Sequence, residues 1–342
     1  MPKVASLLPR RRFETVGSEV PEGWEFEFLT SQGEDDIIAA CRNADFLLLP
    51  STYPRVSSRI IENIPSVCLI QMGGSGYDQV DIDAAAGLNL PVANTRGENA
   101  LAVAEFAIGL LIALQRRVLM ADREIKAGRY GKVREILLTG GVPEVHGTRL
   151  GLVGLGAIGR HVARLAGTLG AEVGYHTPGR KSVELERELG VTYQSWEELL
   201  SSSDAVSLHV PLNDRTRGLI GRRELGLMRS GALIINTARG EVIDQAALAE
   251  ALASGHLGGA AIDTLAPEPP SPDHPLLLLP QPALAKLILT PHLAGVTTGS
   301  FRRMLRSALQ NMQDVAAGGE PANVVNGIGR ARRSFQTRQG YS

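Results

Sequence analysis

The run Leu150-Gly151-Leu152-Val153-Gly154-Leu155-Gly156-Ala157-Ile158-Gly159 constrains the fold more than any other part of the chain. Leu150 to Gly154 is a short buried strand by composition, and Ile158 to Leu169 has the apolar spacing of a helix. Gly154, Gly156 and Gly159 therefore fall in a strand–turn–helix setting. The spacing alone is weak, because 38 glycines in 342 residues give about half a chance match in random order. The setting makes it specific. The first glycine permits the tight turn, the second lets backbone approach a pyrophosphate, and the third lets helix and strand pack closely. Ala157 and Ile158 open the helix, whose unpaired N–H groups and dipole favour an anion.

Where a dinucleotide carries a free ribose, the next strand should end in an acidic residue. Here Glu172 to Tyr175 is followed by His176-Thr177-Pro178-Gly179-Arg180-Lys181. The acid is absent and a basic loop with a hydroxyl follows, which suits a 2′-phosphate. NADP(H) is thus favoured, with NAD(H) still allowed. In the bland alternative, Arg180 and Lys181 merely begin a solvated helix.

Short strand-like runs alternate with helical ones on both sides of this unit. Val4 to Leu8, Phe46 to Leu49, Val67 to Gln71 and Pro91 to Asn94 are strands by pattern, with helical spacing at Glu34 to Asn43 and Ser57 to Asn63. Asn99 to Arg117 is a long apolar helix, followed by amphipathic Ala121 to Gly131 and a loose stretch at Thr139 to Pro143. Further strands are expected at Ala205 to His209, Ala232 to Asn236, Gly259 to Ile262 and Leu287 to Leu289, and a helix at Ser300 to Ala317. Beyond Asn326 the chain reads as polar and disordered. The alternation predicts an α/β fold with two parallel-sheet halves.

Composition removes several classes of function. A net charge of −1 and 4% aromatic residues offer no footprint for nucleic acid or anionic lipid. The most apolar segment, Leu101 to Leu114, is short and interrupted by Glu105, so no membrane span is expected, and the default location is cytoplasmic. Cys41 and Cys68 adjoin apolar runs and read as buried thiols, with no zinc spacing and no disulfide framework.

Three later segments attach ionisable residues to loops after predicted strands: Asn236-Thr237-Ala238-Arg239-Gly240, Asp263 to Pro269, and Thr290-Pro291-His292-Leu293-Ala294-Gly295. Such loops gather at the ligand-binding edge of a parallel sheet. Taken singly, an Arg, a Glu before Pro and a lone His are usually structural or solvated. With these three segments, Gly74-Ser75-Gly76-Tyr77-Asp78, Val103-Ala104-Glu105 and His209-Val210-Pro211-Leu212 in this order, the chain resembles the D-isomer-specific 2-hydroxyacid dehydrogenases, which include glyoxylate and hydroxypyruvate reductases.

The resemblance spans about Gln71 to Asn326 and implies two Rossmann-like domains with a cleft between them. A flavodoxin-like outer, substrate domain would hold 1–98 and 297–342, and the dinucleotide-binding domain 99–296. It implies that Arg239 holds the substrate carboxylate and polarises its carbonyl, and that His292 donates a proton to the nascent alkoxide. Glu268 would pair with His292, favouring the imidazolium and fixing the ring. Backbone N–H groups at Gly74, Ser75 and Gly76 would bind the carboxylate. Asp263 would meet the nicotinamide carboxamide, with Thr237 and Ala238 lining the ring pocket and His209 and Pro211 flanking the adenosine side.

The long helix is similar to the family's dimer contact, which implies a homodimer. The implied activity is reduction of a small 2-oxo acid. Two rivals stand beside it: a dehydrogenase of another small anion, as in phosphite dehydrogenases, and a dinucleotide-sensing binding protein like the co-repressors of this fold. Glu268 departs from formate dehydrogenases, which carry glutamine there. The absence of a further domain after Val325-Asn326 departs from regulated phosphoglycerate dehydrogenases. Tyr53 and the Arg10-Arg11-Arg12 loop follow early strands and suggest contacts to a phosphorylated substrate, against the bland reading of a solvent-facing loop.

Overall fold

The computed structural model describes residues 1–51 and 54–332. The chain divides into two compact units, Met1–Asn99 with Val296–Ser342, and Ala100–Gly295.

In the first unit, β1 (Lys3–Ser6), β2 (Glu25–Phe28), β3 (Phe46–Leu49), β4 (Leu69–Met72) and β5 (Val92–Ala93) form one sheet in the order β2-β1-β3-β4-β5. Every pairing is parallel. This is the flavodoxin-like order, which reverses direction between β1 and β3. Side chains alternate across the sheet: Leu47 and Leu49 enter the apolar cluster on one face, Phe46 and Leu48 that on the other. The helix Thr298–Ala316 covers the second face with Leu305, Ala308 and Met312.

The second unit carries seven parallel strands: β6 (Arg149–Val153), β7 (Glu172–His176), β8 (Val191–Tyr193), β9 (Ala205–Leu208), β10 (Leu233–Asn236), β11 (Gly259–Ile262) and β12 (Leu287–Leu289). Their order is β12-β11-β10-β9-β6-β7-β8. The chain winds one way from β6 to β8 and the other way from β9 to β12, so the switch point lies between β6 and β9, where ligands bind in folds of this kind. Both faces are buried. Val206, Ile234 and Ala260 pack to one side; Ala205, Ile235 and Ala261 pack to the other, under the helices Ala100–Gln115 and Ala157–Thr168.

Register places the chemistry on one edge. Val153 pairs with His176 and with Leu208, Leu208 with Asn236, Asn236 with Ile262, and Ile262 with Leu289. The strands therefore end level, and the loops beginning at Gly154, Thr177, His209, Thr237, Asp263 and Thr290 leave the same carboxyl edge.

Several expectations are corrected. Arg10, Arg11 and Arg12 do not form a loop; they are the first turn of the helix Arg10–Val16, with Arg12 stacked 3.6 Å from the Phe301 ring. The stretch from Val118 to Gly140 is two helices, Val118–Lys126 and Tyr130–Gly140, and the loose segment at Thr139 begins only after the second. β2 was hidden by its exposed alternation of Glu25 and Glu27 with half-buried Phe26 and Phe28, and β8 by its length of three residues. Tyr53 lies outside the described residues, as does the part of the polar tail from residue 333 onward. Of the stretch after Asn326 that is described, Ala331 packs on the core and Arg332 N–H donates to the Cys68 carbonyl at 3.3 Å, so the expectation of disorder from Asn326 fails there.

Both cysteines are buried thiols, as the apolar flanks imply, with Cys68 Sγ donating to the Asp45 carbonyl at 3.0 Å; burial pushes the Cys41 thiol up to about 12. Among the described residues no helix is long and apolar enough to cross a membrane, and no group of three or more His, Cys, Asp or Glu could hold a metal ion.

Candidate active site

The glycine turn has the shape its chemistry requires. Gly154 adopts φ +100°, a region that side chains with a Cβ rarely enter, and a Cβ there would lie 2.6 Å from the His209 carbonyl oxygen. A Cβ on Gly159 would collide with the Gly154 carbonyl, so helix and turn touch through backbone. Gly156 faces open space, with nothing within 4 Å of a Cβ position. It caps the twelve-residue helix Ala157–Thr168, whose first N–H groups receive no side-chain cap. Two glycines are thus consumed by packing, and the third leaves room at an anion-favouring helix end. These residues fit a dinucleotide pyrophosphate. Gly159→Ala should lower the melting temperature and weaken cofactor binding together, because the methyl group meets main chain that cannot move aside; unchanged binding by fluorescence titration would contradict this.

After β7, Arg180 is more engaged than its sequence context suggests. Its Nε and Nη2 donate to the two carboxylate oxygens of Glu186 at 2.9 and 2.7 Å, and the Tyr175 hydroxyl donates to the same carboxylate at 2.7 Å. These donors, Arg180 first, hold Glu186 down to about 2. The guanidinium stays largely exposed on its other edge. Lys181 donates its backbone N–H to the Tyr175 hydroxyl, and the Thr177 hydroxyl turns back to the Gly179 carbonyl. The segment precedes the helix Val183–Leu189, capped by Ser182, so Arg180 and Lys181 are not its first turn.

His209 follows β9 next to the turn. Nε2 lies 2.9 Å from the Ser207 hydroxyl, while Nδ1 is buried without a partner among the described residues. Burial pulls the imidazole down to about 4. The folded value is below the unfolded one, so the unfolded chain takes the proton first. The contribution is intact above pH ~6.5, is lost as pH falls toward 4, and totals on the order of 3 kcal/mol. Urea midpoints should fall across that window, and less steeply in His209→Gln.

Asp263 is the residue whose role sequence reasoning read least fully. Its carboxylate is buried and accepts from the Thr290 hydroxyl at 2.6 Å, Leu293 N–H at 2.8 Å and Ala294 N–H at 2.9 Å. Its carbonyl accepts His292 N–H at 2.8 Å. One side chain and its own main chain thus hold the whole Thr290–Ala294 loop. His292, at the centre, has φ +54°, a left-handed conformation costing a non-glycine residue about 1–2 kcal/mol. The strain persists because the Asp263 bonds determine the backbone on both sides.

His292 Nδ1 lies 3.2 and 3.0 Å from the two oxygens of Glu268. This fixes the ring and leaves Nε2 with no hydrogen bond among the described residues. Arg239 is half-buried at the end of the Thr237–Arg239 loop, its Nη1 donating to the Ala238 carbonyl at 2.8 Å while Asn236 Nδ2 donates to the Arg239 carbonyl at 2.8 Å. Gly240 follows it because a Cβ there would strike the Leu265 backbone. Arg239, Glu268 and His292 therefore belong to one sheet edge, together with the glycine turn. Thr237 Oγ1 is buried on the same edge without a partner among the described residues, a polar atom suited to a bound ligand.

Gly74, Ser75 and Gly76 belong to the other unit. Thr95 N–H donates to the Gly74 carbonyl at 3.1 Å, Asn94 Nδ2 to the Ser75 carbonyl at 2.8 Å, and the Ser75 hydroxyl to Asn99 at 3.0 Å. The carbonyls of Gly74 and Ser75 are used internally, and the N–H groups of Gly74, Ser75 and Gly76 donate to no acceptor among the described residues.

A nucleotide-fitting turn at a switch point shares its sheet edge with a paired His–Glu and an Arg, an arrangement suited to nicotinamide-dependent oxidoreductases. Residues 108–294 match the model of the D-isomer specific 2-hydroxyacid dehydrogenase, NAD binding domain. Over 298 residues the chain is 37% identical to a glyoxylate reductase of Aeropyrum pernix, covering 85% of this chain and 86% of that one. It is 32% identical over 304 residues to a D-3-phosphoglycerate dehydrogenase of Archaeoglobus fulgidus, covering 89% of this chain and 55% of the other. The crystal structure of the apo form of Rhodotorula graminis D-mandelate dehydrogenase superposes with a TM-score of 0.83 at 27% identity, covering 95% and 97% of the two chains. The chain belongs to the D-isomer-specific 2-hydroxyacid dehydrogenase family and is an NAD(P)-dependent oxidoreductase of that family.

Proposed function

We propose that this enzyme reduces a small 2-oxo acid, glyoxylate or hydroxypyruvate, with NADP(H) preferred over NAD(H). The observation that carries the reading is the His292–Glu268 pair on the sheet edge that bears the glycine turn. Seated on that turn, a nicotinamide dinucleotide would supply the hydride. The Arg239 guanidinium forks onto the substrate carboxylate and polarises the adjacent carbonyl. Glu268 anchors Nδ1 so that the proton on His292 Nε2 points outward. That proton goes to the carbonyl oxygen as it becomes an alkoxide, and returns to Nε2 in the oxidative direction.

Asp263 keeps one lone pair on Oδ2 for the nicotinamide carboxamide, beside Thr237 and Ala238. His209 and Pro211 flank the adenosine. The cofactor preference rests on His176 in place of an acid and on the outward edge of Arg180 with Lys181, the Thr177 hydroxyl being turned to the Gly179 carbonyl. Glu186 neutralises part of that charge, so the preference comes from directed donors more than from net charge and should be moderate. The unit Ala100–Gly295 would be the dinucleotide domain and the other the substrate domain. A homodimer is supported by the apolar residues that the helices beyond Ala100–Gln115 expose, among them Leu119, Ile125 and Leu138.

Steady-state assay of a 2-oxo acid panel with NADPH and NADH tests this. Glyoxylate or hydroxypyruvate should have the highest kcat/KM, with NADPH ahead of NADH. NADH ahead would overturn the cofactor reading. Turnover confined to a different anion such as phosphite would overturn the substrate reading.

A further inference from the structure

The place of Arg239 is set by a residue three positions before it. Asn236 ends β10, is fully buried, and directs both ends of its side-chain amide onto the loop that follows. Oδ1 accepts Ala238 N–H at 3.0 Å, closing an Asx turn, and Nδ2 donates to the Arg239 carbonyl at 2.8 Å. The Ala238 carbonyl in turn accepts from Arg239 Nη1 at 2.8 Å. One amide thus fixes the peptide groups on either side of the Ala238–Arg239 link, and through Ala238 it reaches the guanidinium. The Asn236 carbonyl also accepts Asp263 N–H at 2.9 Å, which ties the amide to the level strand ends.

The residues after Arg239 are held separately. Val242 N–H donates to the Arg239 carbonyl at 3.2 Å, and Gln245 Nε2 donates to the Gly240 carbonyl at 3.0 Å. Gly240 itself lies against the Leu265 backbone, where a Cβ would have no room. These contacts fix where the loop leaves. They do not fix the Ala238 peptide that meets the guanidinium.

The two bonds of Asn236 require asparagine. An ionised aspartate accepts at both oxygens and would face the Arg239 carbonyl with a second acceptor. Glutamine is one methylene longer, and alanine leaves a buried N–H and a buried carbonyl each short of a partner.

We infer that Asn236 is a positioning residue for the reduction and acts through Arg239, by presenting the guanidinium in the orientation that forks onto a carboxylate. The inference rests on the reading of Arg239 as the group that holds the substrate carboxylate. It adds the residue on which that orientation depends.

A double-mutant cycle tests it, with kcat/KM for the preferred 2-oxo acid measured in wild type, Asn236→Ala, Arg239→Gln and the double variant. Asn236→Ala alone should lower kcat/KM about 10- to 100-fold, with KM raised and kcat reduced, because a displaced guanidinium both binds and polarises less well. In the Arg239→Gln background the same change should cost less than about twofold, since the group it places is gone. Urea midpoints should fall equally on adding Asn236→Ala to either background, because the bonds lost there are to main chain. A role in stability alone would therefore lower kcat/KM equally in both backgrounds. That result, or wild-type kcat/KM in Asn236→Ala, overturns the inference. Asn236→Ser, which keeps an acceptor for Ala238 N–H and loses the donor to Arg239, serves if the alanine variant does not fold. Arg239→Gln with kcat/KM within a few-fold of wild type would overturn the reading of Arg239 itself, and this inference with it.

Discussion

Replacing His292 by asparagine should lower kcat for 2-oxo acid reduction about 10²- to 10⁴-fold while leaving the dissociation constant of the cofactor within about twofold. Asparagine is the informative choice because it tolerates the left-handed φ of +54° that His292 adopts. The loop therefore keeps its conformation, and the loss reports the missing proton rather than a collapsed backbone. Glu268 shapes the same effect from behind. Among the described residues it engages Nδ1 alone, so removing the imidazole leaves it with no group to orient toward substrate there. A kcat retained within a few-fold would show that some other group protonates the alkoxide and would take His292 out of the mechanism.

Asp263→Ala should be the most destabilising single change at the site. The carboxylate satisfies the Thr290 hydroxyl and the N–H groups of Leu293 and Ala294, and its removal leaves buried donors without an acceptor, at about 1–3 kcal/mol each. The expected loss is at least ~3 kcal/mol in the urea unfolding free energy. A second consequence is kinetic. With the loop released, His292 relaxes out of its strained conformation, and a displacement of ~1 Å costs about 100-fold in rate. Activity should therefore fall even at temperatures where the variant is folded. Full stability in Asp263→Ala would mean that the loop is held by other contacts and that the strain at His292 needs a different explanation.

The parts of this molecule that could be read from sequence are those fixed by local spacing. β6, the turn and the following helix carry apolar period and glycine positions within twenty residues, and the structure has them where the pattern requires. The buried strands β3, β9, β10 and β11 are short apolar runs, which is how parallel strands covered on both faces read. β2 was missed because Glu25 and Glu27 mark an edge strand with one wet side. The Val118–Gly140 segment is legible only in part: amphipathic spacing marks its first helix, but the two helices bury only Val133 within the chain, so no core contact fixes their bounds in the pattern.

At the candidate site, motif marks the residues proposed for the chemistry, and it does not show the bonds that hold them. No spacing rule ties Glu186 to Arg180 and Tyr175, or Asp263 to Thr290 and Ala294, since those bonds depend on how strand ends are brought level. A carboxylate in a strand-end loop followed at a distance by a Thr-Pro-His run was a signal, but one that pointed equally to ligand binding and to bracing. The bracing is what the structure adds, and it explains why a strained histidine keeps its place.

On the proposed function, this chain passes a hydride from a turn-bound dinucleotide to a 2-oxo acid, with His292 giving the proton. A single-turnover experiment reads it directly: enzyme preloaded with NADPH is mixed with glyoxylate or hydroxypyruvate, absorbance of the reduced nicotinamide is followed, and the hydroxy acid is quantified. The account predicts loss of one NADPH for each glycolate or glycerate formed, at a rate that collapses in His292→Asn. NADPH that binds tightly yet is oxidised by neither acid would contradict it and would point to a dinucleotide sensor instead.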